Sequence, residues 1–286
     1  VIARNAFYDE AISIECEGEY DNGSEKDICH MSNIHPTAIV SGNAHIDDDV
    51  EIGPFSIIGE NVTLHKGCKV SSSAHLAGYT EIGARCKIFT GAVIGSITQD
   101  LKYKGEKTFI RIGEDNTIRE YVTINSGTAG GESTVIGNRN LIMAYAHIAH
   151  NCVIGNDVIL ANASTLAGHV IVEDFAIIGG LAGIHQFCRI GAHAIIGGCS
   201  KVTKDIIPFV MADGHPAKPF AVNIIGLKRR GFTPEKIRVI ETVFRYLFRS
   251  GLNVSAALAQ IEQMQKTEEV LSTINFIKQS ERGIAK

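Results

Sequence analysis

Three histidines, His147, His150 and His169, lie within AYAHIAHNCVIGNDVILANASTLAGHV (residues 144–170), a stretch otherwise rich in small and aliphatic residues. A neutral imidazole, with a reference pKa of about 6.5, accepts a proton from a hydroxyl near neutral pH, and general-base help of this kind is worth roughly 10²–10⁴ in rate. A glycine next to such a base lets backbone approach a substrate closely. Its N–H can face an oxyanion, a contribution of about 3–4 kcal/mol to a transition state. The same histidines could also form a three-imidazole metal site, or be hydrogen-bonded surface groups. Which of these holds depends on the frame that positions them.

That frame is a six-residue repeat. Stepping by six from Ile34 to Val202 gives 29 positions, of which 26 are Ile, Val or Leu; only Asp100, Glu106 and Gly130 interrupt. The residue four after each aliphatic is small or modest in size, as in Ala38, Ala44, Val50, Ser56, Val62, Cys68 and Ala74. Neither a helix, with its period of 3.6, nor a plain strand, with its period of 2, yields six for so long. Six residues make one short strand and a corner, three such faces close an 18-residue triangular coil, and stacked coils make a parallel β-helix. Residues 18 apart become neighbours on successive coils, about 4.8 Å apart. His150, Gly168 and Gln186 therefore form one exterior column, flanked by His169 and His185, with His147 just across a corner. Asn151 could orient His150 through its side-chain carbonyl, and so could a backbone carbonyl.

The interruptions are polar, glycine-containing insertions, GSITQDLKYKGEKTFIR (95–111) and NSGTAGGEST (125–134), which return to the same phase and should loop out of the prism. After Pro208 the period changes. VNIIGLKRRG predicts a short helix stopped by Gly231, and TPEKIRVIETVFRYLFRSG a second one with Thr233 as N-cap, Pro234 in the first turn and Gly251 as the stop. Further helical patterns cover about 253–265 and 267–280. The organisation expected is a polar, poorly ordered extension over 1–30, a β-helix over 31–207 and a small helical domain over 208–286.

Composition bounds the function. The net charge of −4 is unevenly spread, because residues 208–286 carry 12 basic and 7 acidic residues. A basic tail on an acidic body suits an acidic partner better than general nucleic-acid binding. No apolar run reaches the roughly 18 residues that cross a bilayer, and no signal peptide is evident. Seven cysteines without a CxxC pair, four of them (Cys68, Cys86, Cys152, Cys188) at the small position of the repeat, indicate buried thiols in a reducing cytoplasm.

Beyond the repeat, QDLKYKGE (99–106), AHIAHNC (146–152), LAGHV (166–170), IHQFCRIGAHA (184–194), GGCS (197–200) and VNIIGLKRRGF (222–232) resemble the acyl-carrier-protein–UDP-N-acetylglucosamine O-acyltransferases of lipid A biosynthesis. The resemblance runs from Ile34 to the C-terminal helices. It implies a left-handed coil, against the usual right-handed crossover rule, and a cytoplasmic homotrimer with sites in clefts between prisms. It implies transfer of a 3-hydroxyacyl chain from acyl carrier protein to the 3-hydroxyl of UDP-N-acetylglucosamine, with no metal and no cofactor beyond the carrier's phosphopantetheine.

By that resemblance His150 matches the base and Gly168 the oxyanion donor. His147, His169, His185 and Gln186 match residues around the sugar and acyl groups. Asp100 and Lys102 match substrate-binding residues brought by the long loop across a subunit boundary. Asn223, Arg229 and Arg230 match the nucleotide and carrier-protein end, where an arginine fork suits phosphate. Gly198 matches the position that limits acyl-chain length, and a glycine there implies a chain of the myristoyl class. Asn151 and Ile225 depart from the Asp and Glu that some members carry. The competing readings are the N-acyltransferase of the same pathway, for which residues 1–33 are too short to form the additional N-terminal domain, a metal hydratase of the gamma carbonic anhydrase type, and a non-catalytic β-helix.

Overall fold

In a computed structural model the described residues are 33–286; the extension expected over 1–30 lies outside them. Strands of two to six residues wind into three sheets, the first with 11 strands, the second with nine and the third with eight, all parallel except for the last strand of the first. The stacking register follows the repeat: Ile142 sits beside Leu160 in the first sheet, Ile148 beside Leu166 in the second, and Ile136 beside Ile154 in the third. The architecture is a left-handed parallel β-helix with a small C-terminal helical part.

The period of six arises from what each position meets. Ile58, Leu76, Ile94, Ile124, Ile148 and Leu166 point inward and are 0–1 % exposed. Each such side chain stabilises the prism by about 1.5–3 kcal/mol. The small position four residues later is equally buried, at Cys68, Ala92, Val122, Cys152 and Val170. Asn116 and Asn140 occupy it in two coils and are fully bonded there. Asn116 donates to the Gly113 and Gly137 carbonyls (2.9 and 2.8 Å), and Asn140 to the Gly155 carbonyl (3.0 Å). A buried amide is tolerated when its hydrogen bonds are made. The four cysteines assigned to this position are buried free thiols.

Both insertions leave the prism at one edge, where the chain passes from the second sheet to the third. One lies between strands Val93–Ser96 and Phe109–Ile112, the other between Thr123–Asn125 and Ser133–Ile136. The core ignores them: Ile112 pairs with Ile82 below and Ile136 above, so the stack continues while the chain detours. The insertions brace each other through the Gly131 N–H on the Lys107 carbonyl (2.9 Å) and the Thr108 hydroxyl on Ser126 (2.9 Å).

The region after Pro208 begins differently from the helical pattern expected there. Val210–Gly214 pairs in parallel with Ile195–Ile196 and turns back antiparallel as Ala217–Val222, so the first sheet runs on to residue 222. Val210, Ala212, Ala217 and Val222 are buried and close the end of the prism. Helices α1 (Ile224–Arg229), α2 (Pro234–Phe248), α3 (Val254–Ile261) and α4 (Glu268–Lys278) follow. Asn223, Thr233, Asn253 and Thr267 cap their N-termini by accepting backbone N–H bonds. The last residues dock on the final coil, where buried Asp205 accepts from the Ser280 hydroxyl (2.6 Å) and bonds with the backbone of Gly283 and Ala285.

Candidate active site

The second-to-third edge holds most of the residues singled out by type. His150 and Gly168 lie on successive coils, and the imidazole packs onto the glycine so closely that a Cβ added there would stand 2.4 Å from its Cε1 and Nε2. No acceptor meets the Gly168 N–H among the described residues. One residue on, Asn151, His169 and Phe187 form a parallel column, each in the left-handed backbone region at φ 61, 60 and 64°. The His169 ring meets His150 edge-on with centroids 5.2 Å apart and stacks on Phe187 at 4.6 Å. His147, on the outer face of the second sheet, shares a 2.7 Å hydrogen bond between its Nδ1 and the Thr123 hydroxyl. Burial first, and then the charge of His150, push both His147 and His169 below the ordinary imidazole range. Both are accordingly neutral near pH 7.

Asp100 comes to the same edge from its own chain's long insertion. Its Oδ2 stands 3.7 Å from His150 Nε2, and its Oδ1 accepts the Lys102 N–H at 2.9 Å, which shapes the loop. The resemblance carries this loop across a subunit boundary; within one chain Asp100 lies beside that chain's own His150. His185 and Gln186 lie one coil above Gly168 at this edge, both exposed. Beside them a groove of about 490 Å³ opens along Val153, Ile171 and Phe187 towards Gln279.

The remaining predicted residues lie on the other two edges. Gly198 is exposed on the first-to-second edge, and a Cβ there would lie 3.3 Å from the Gly180 carbonyl oxygen, a tight contact. Asn223, Arg229 and Arg230 belong to the third-to-first edge. The Asn223 amide is buried and fully used: its oxygen caps α1 at the Gly226 N–H (3.1 Å) and its NH₂ donates to the His193 carbonyl (2.9 Å). Arg230 lies with its guanidinium 4.1 Å from the centre of the Phe175 ring. The Phe175, His193 and Phe209 rings stack beneath α1, and burial together with Arg230 pushes His193 down to about 4. Arg229 is exposed at the end of α1.

His147, His150 and His169 do not form a three-histidine metal site among the described residues. His147 Nδ1 is engaged by Thr123 and His150 Nδ1 by Asn151, and no cluster of three or more potential ligands occurs among the described residues.

One hydrogen-bonded group at this edge escaped the reading by type. Glu132, at the end of the second insertion, accepts from the Asn151 side-chain NH₂ at 2.7 Å, while Asn151 Oδ1 faces His150 Nδ1 at 2.9 Å. The signal was available. Glu132 is 18 residues before His150 and so belongs to its column.

The chain is 50 % identical over 258 residues to the acyl-[acyl-carrier-protein]–UDP-N-acetylglucosamine O-acyltransferase of Thermodesulfovibrio yellowstonii, an alignment covering 90 % of this chain and all of that one. It belongs to this O-acyltransferase family. The homologous O-acyltransferase of Thiobacillus denitrificans is 48 % identical over 89 % of this chain and 99 % of its own. Residues 205–285 match the family described as "Udp N-acetylglucosamine O-acyltransferase; Domain 2", and residues 133–168 match the bacterial transferase hexapeptide repeats. Two solved O-acyltransferases superpose over 88 % of this chain: LpxA from Acinetobacter baumannii (TM-score 0.85, 42 % identity, 99 % of that chain) and LpxA from Bacteroides fragilis (0.86, 43 %, 100 %).

Proposed function

We propose that this chain transfers a 3-hydroxyacyl group from acyl carrier protein to the 3-hydroxyl of UDP-N-acetylglucosamine, with His150 as general base. The observation that carries the reading is the His150 imidazole lying on the Gly168 backbone, with Asp100 beside its Nε2, at the edge from which both insertions emerge. In this reaction Nε2 takes the hydroxyl proton as the sugar oxygen attacks the thioester carbonyl. The Gly168 N–H donates to the oxyanion that forms. Collapse breaks the C–S bond, and the departing thiol of the carrier receives the proton back from Nε2. A positioned base supplies roughly 10²–10⁴ in rate, and one oxyanion donor about 2.7–4 kcal/mol.

Around that centre Asp100, Lys102, His147 and His169 hold the sugar, while His185 and Gln186 meet the acyl end. Gly198 and the Arg229–Arg230 pair stand on different edges of the same prism, so a single cleft that uses them draws on neighbouring copies. A homotrimer with its clefts between prisms meets that requirement. Asn223 then acts indirectly by fixing α1, which sets the two arginines where a phosphate of the nucleotide or of phosphopantetheine would approach. The exposed basic end of α1 suits an acidic carrier protein, since opposite charge speeds encounter. The absence of a side chain at exposed Gly198 suits a long acyl chain. A panel of acyl-carrier thioesters against UDP-N-acetylglucosamine and its 3-amino analogue tests the reading. Product carrying a long 3-hydroxyacyl chain on the sugar 3-position is expected, and no transfer from any thioester in the panel would refute it.

A further inference from the structure

The Asn151 side chain has two ends, and its surroundings decide which way it faces. Glu132 Oε2 lies 2.7 Å from one end and accepts the Ala129 N–H at 2.8 Å as well. A carboxylate only accepts, so the Asn151 atom facing it is the NH₂. The Asn151 oxygen therefore faces His150 Nδ1, at 2.9 Å, and it also accepts the Thr128 N–H at 3.2 Å, which agrees with the same orientation. An amide oxygen cannot donate, so Nδ1 carries the proton and Nε2 keeps its lone pair. The Asn151 backbone is fixed in turn, its N–H donating to the Thr134 hydroxyl at 2.9 Å.

Resting on His150 as the base, we infer that Glu132 is a positioning residue for acyl transfer: through the Asn151 amide it selects the Nδ1–H tautomer of His150 and leaves Nε2 free to take the proton. The relay replaces a carboxylate bonded directly to the imidazole. It gives the same tautomer while keeping the negative charge one residue away. Glu132 stays ionised in this role, because the Ala129 N–H and the Asn151 amide hold its carboxyl below the ordinary range. The other titratable groups around the imidazole are Asp100, His147 and His169, with Lys102 acting on His169.

The test combines nitrogen-15 spectra of labelled histidine with kcat/KM as a function of pH. In the unmodified enzyme above the imidazole pKa, His150 should show a protonated Nδ1 and an unprotonated Nε2. In Glu132→Ala the Asn151 amide keeps only the 3.2 Å bond from the Thr128 N–H to hold its orientation, and the spectrum should show a mixture of tautomers, with kcat/KM about 10- to 100-fold lower. A wholly wrong tautomer in a serine-protease triad costs about 10⁴, and a mixture costs less. Glu132→Gln, which can keep an acceptor at that place, should lose less than Glu132→Ala. Asn151→Asp alone sets two carboxylates against each other and should lower kcat/KM below that of the unmodified enzyme. Combined with Glu132→Gln it should recover activity, and its carboxylate on Nδ1 should move the acid limb of the profile to higher pH. An unchanged tautomer in Glu132→Ala, or kcat/KM within twofold of the unmodified enzyme, would overturn the inference. A brace for the 126–132 loop alone would leave the tautomer unmoved. Failure of the base reading itself would appear separately, as turnover that survives His150→Ala, whatever the nitrogen spectrum shows.

Discussion

Gly168→Ala is the sharpest perturbation of the site, because it adds one methyl group at the closest approach in the column. The new Cβ would stand 2.4 Å from His150 Cε1 and Nε2 and 3.1 Å from Nδ1, where ordinary contact begins near 3.4 Å. The ring must retreat by about 1 Å, a displacement that can cost roughly 10² in rate when it falls on a reacting group. A hundredfold loss is about 2.7 kcal/mol of transition-state stabilisation. Gly168 does not use a left-handed φ, so alanine meets no backbone penalty and its N–H remains in place. Stability should therefore change by less than about 1 kcal/mol, within the range of a substitution that strains neither backbone nor core. The assay is kcat/KM for sugar acylation at saturating carrier thioester, with thermal unfolding measured in parallel. A control in which His150→Ala is already present should show little further loss from Gly168→Ala, since the clash partner is gone. An alanine variant with kcat/KM within threefold of the unmodified enzyme would refute the claim that the ring must sit against this glycine.

Gly198→Met should shift preference towards shorter acyl donors by placing a long side chain at this exposed edge, where even a Cβ stands 3.3 Å from the Gly180 carbonyl oxygen; undiminished transfer of long chains in a donor panel would reject that role. Ile148→Ala, at a fully buried position of the second sheet below the histidines, should destabilise the prism by about 2–5 kcal/mol in denaturant unfolding. In the helical part, burial opposes ionisation of Glu269, but the Lys236 ammonium at 2.7 Å, with hydrogen bonds from its own N–H and Thr267, outweighs it and holds the carboxyl below the usual range. Its stabilisation is present above the ordinary glutamate pKa and is lost as pH falls through the lowered one. Lys236→Met should cost about 1–2 kcal/mol at pH 7, less than a fully buried pair because the lysine is half exposed, and melting curves should show the difference closing as pH falls through the lowered carboxyl range.

Much of this architecture follows from one number, the period of six. It dictates the inward aliphatics, the small partner four residues on, the three sheets and the column that joins His150 to Gly168. It also locates residues that were not drawn from it. Glu132 is one coil before His150, and Gly198 lies 12 residues beyond Gln186, two faces further round the prism. What the period does not encode lies outside it. The path of the 95–111 insertion depends on its own hydrogen bonds, such as the Lys102 N–H on Asp100, and nothing in the repeat says which chain's histidine Asp100 will face. The hairpin over 210–222 carries turn-forming and polar residues that hide its short alternation of buried Val210 and Ala212. The resemblance puts Asn223 at the nucleotide and carrier-protein end; a residue one position ahead of a helix is also a cap, and capping α1 engages its oxygen.

Rapid-quench measurement of a single acyl transfer, comparing the unmodified enzyme with His150→Ala at saturating 3-hydroxyacyl carrier protein and UDP-N-acetylglucosamine, reads the chemical step apart from binding. A loss of at least about 10² in that step, with the fold intact by circular dichroism, is the result expected when proton removal by this imidazole drives the attack. Transfer at an unchanged rate would contradict it.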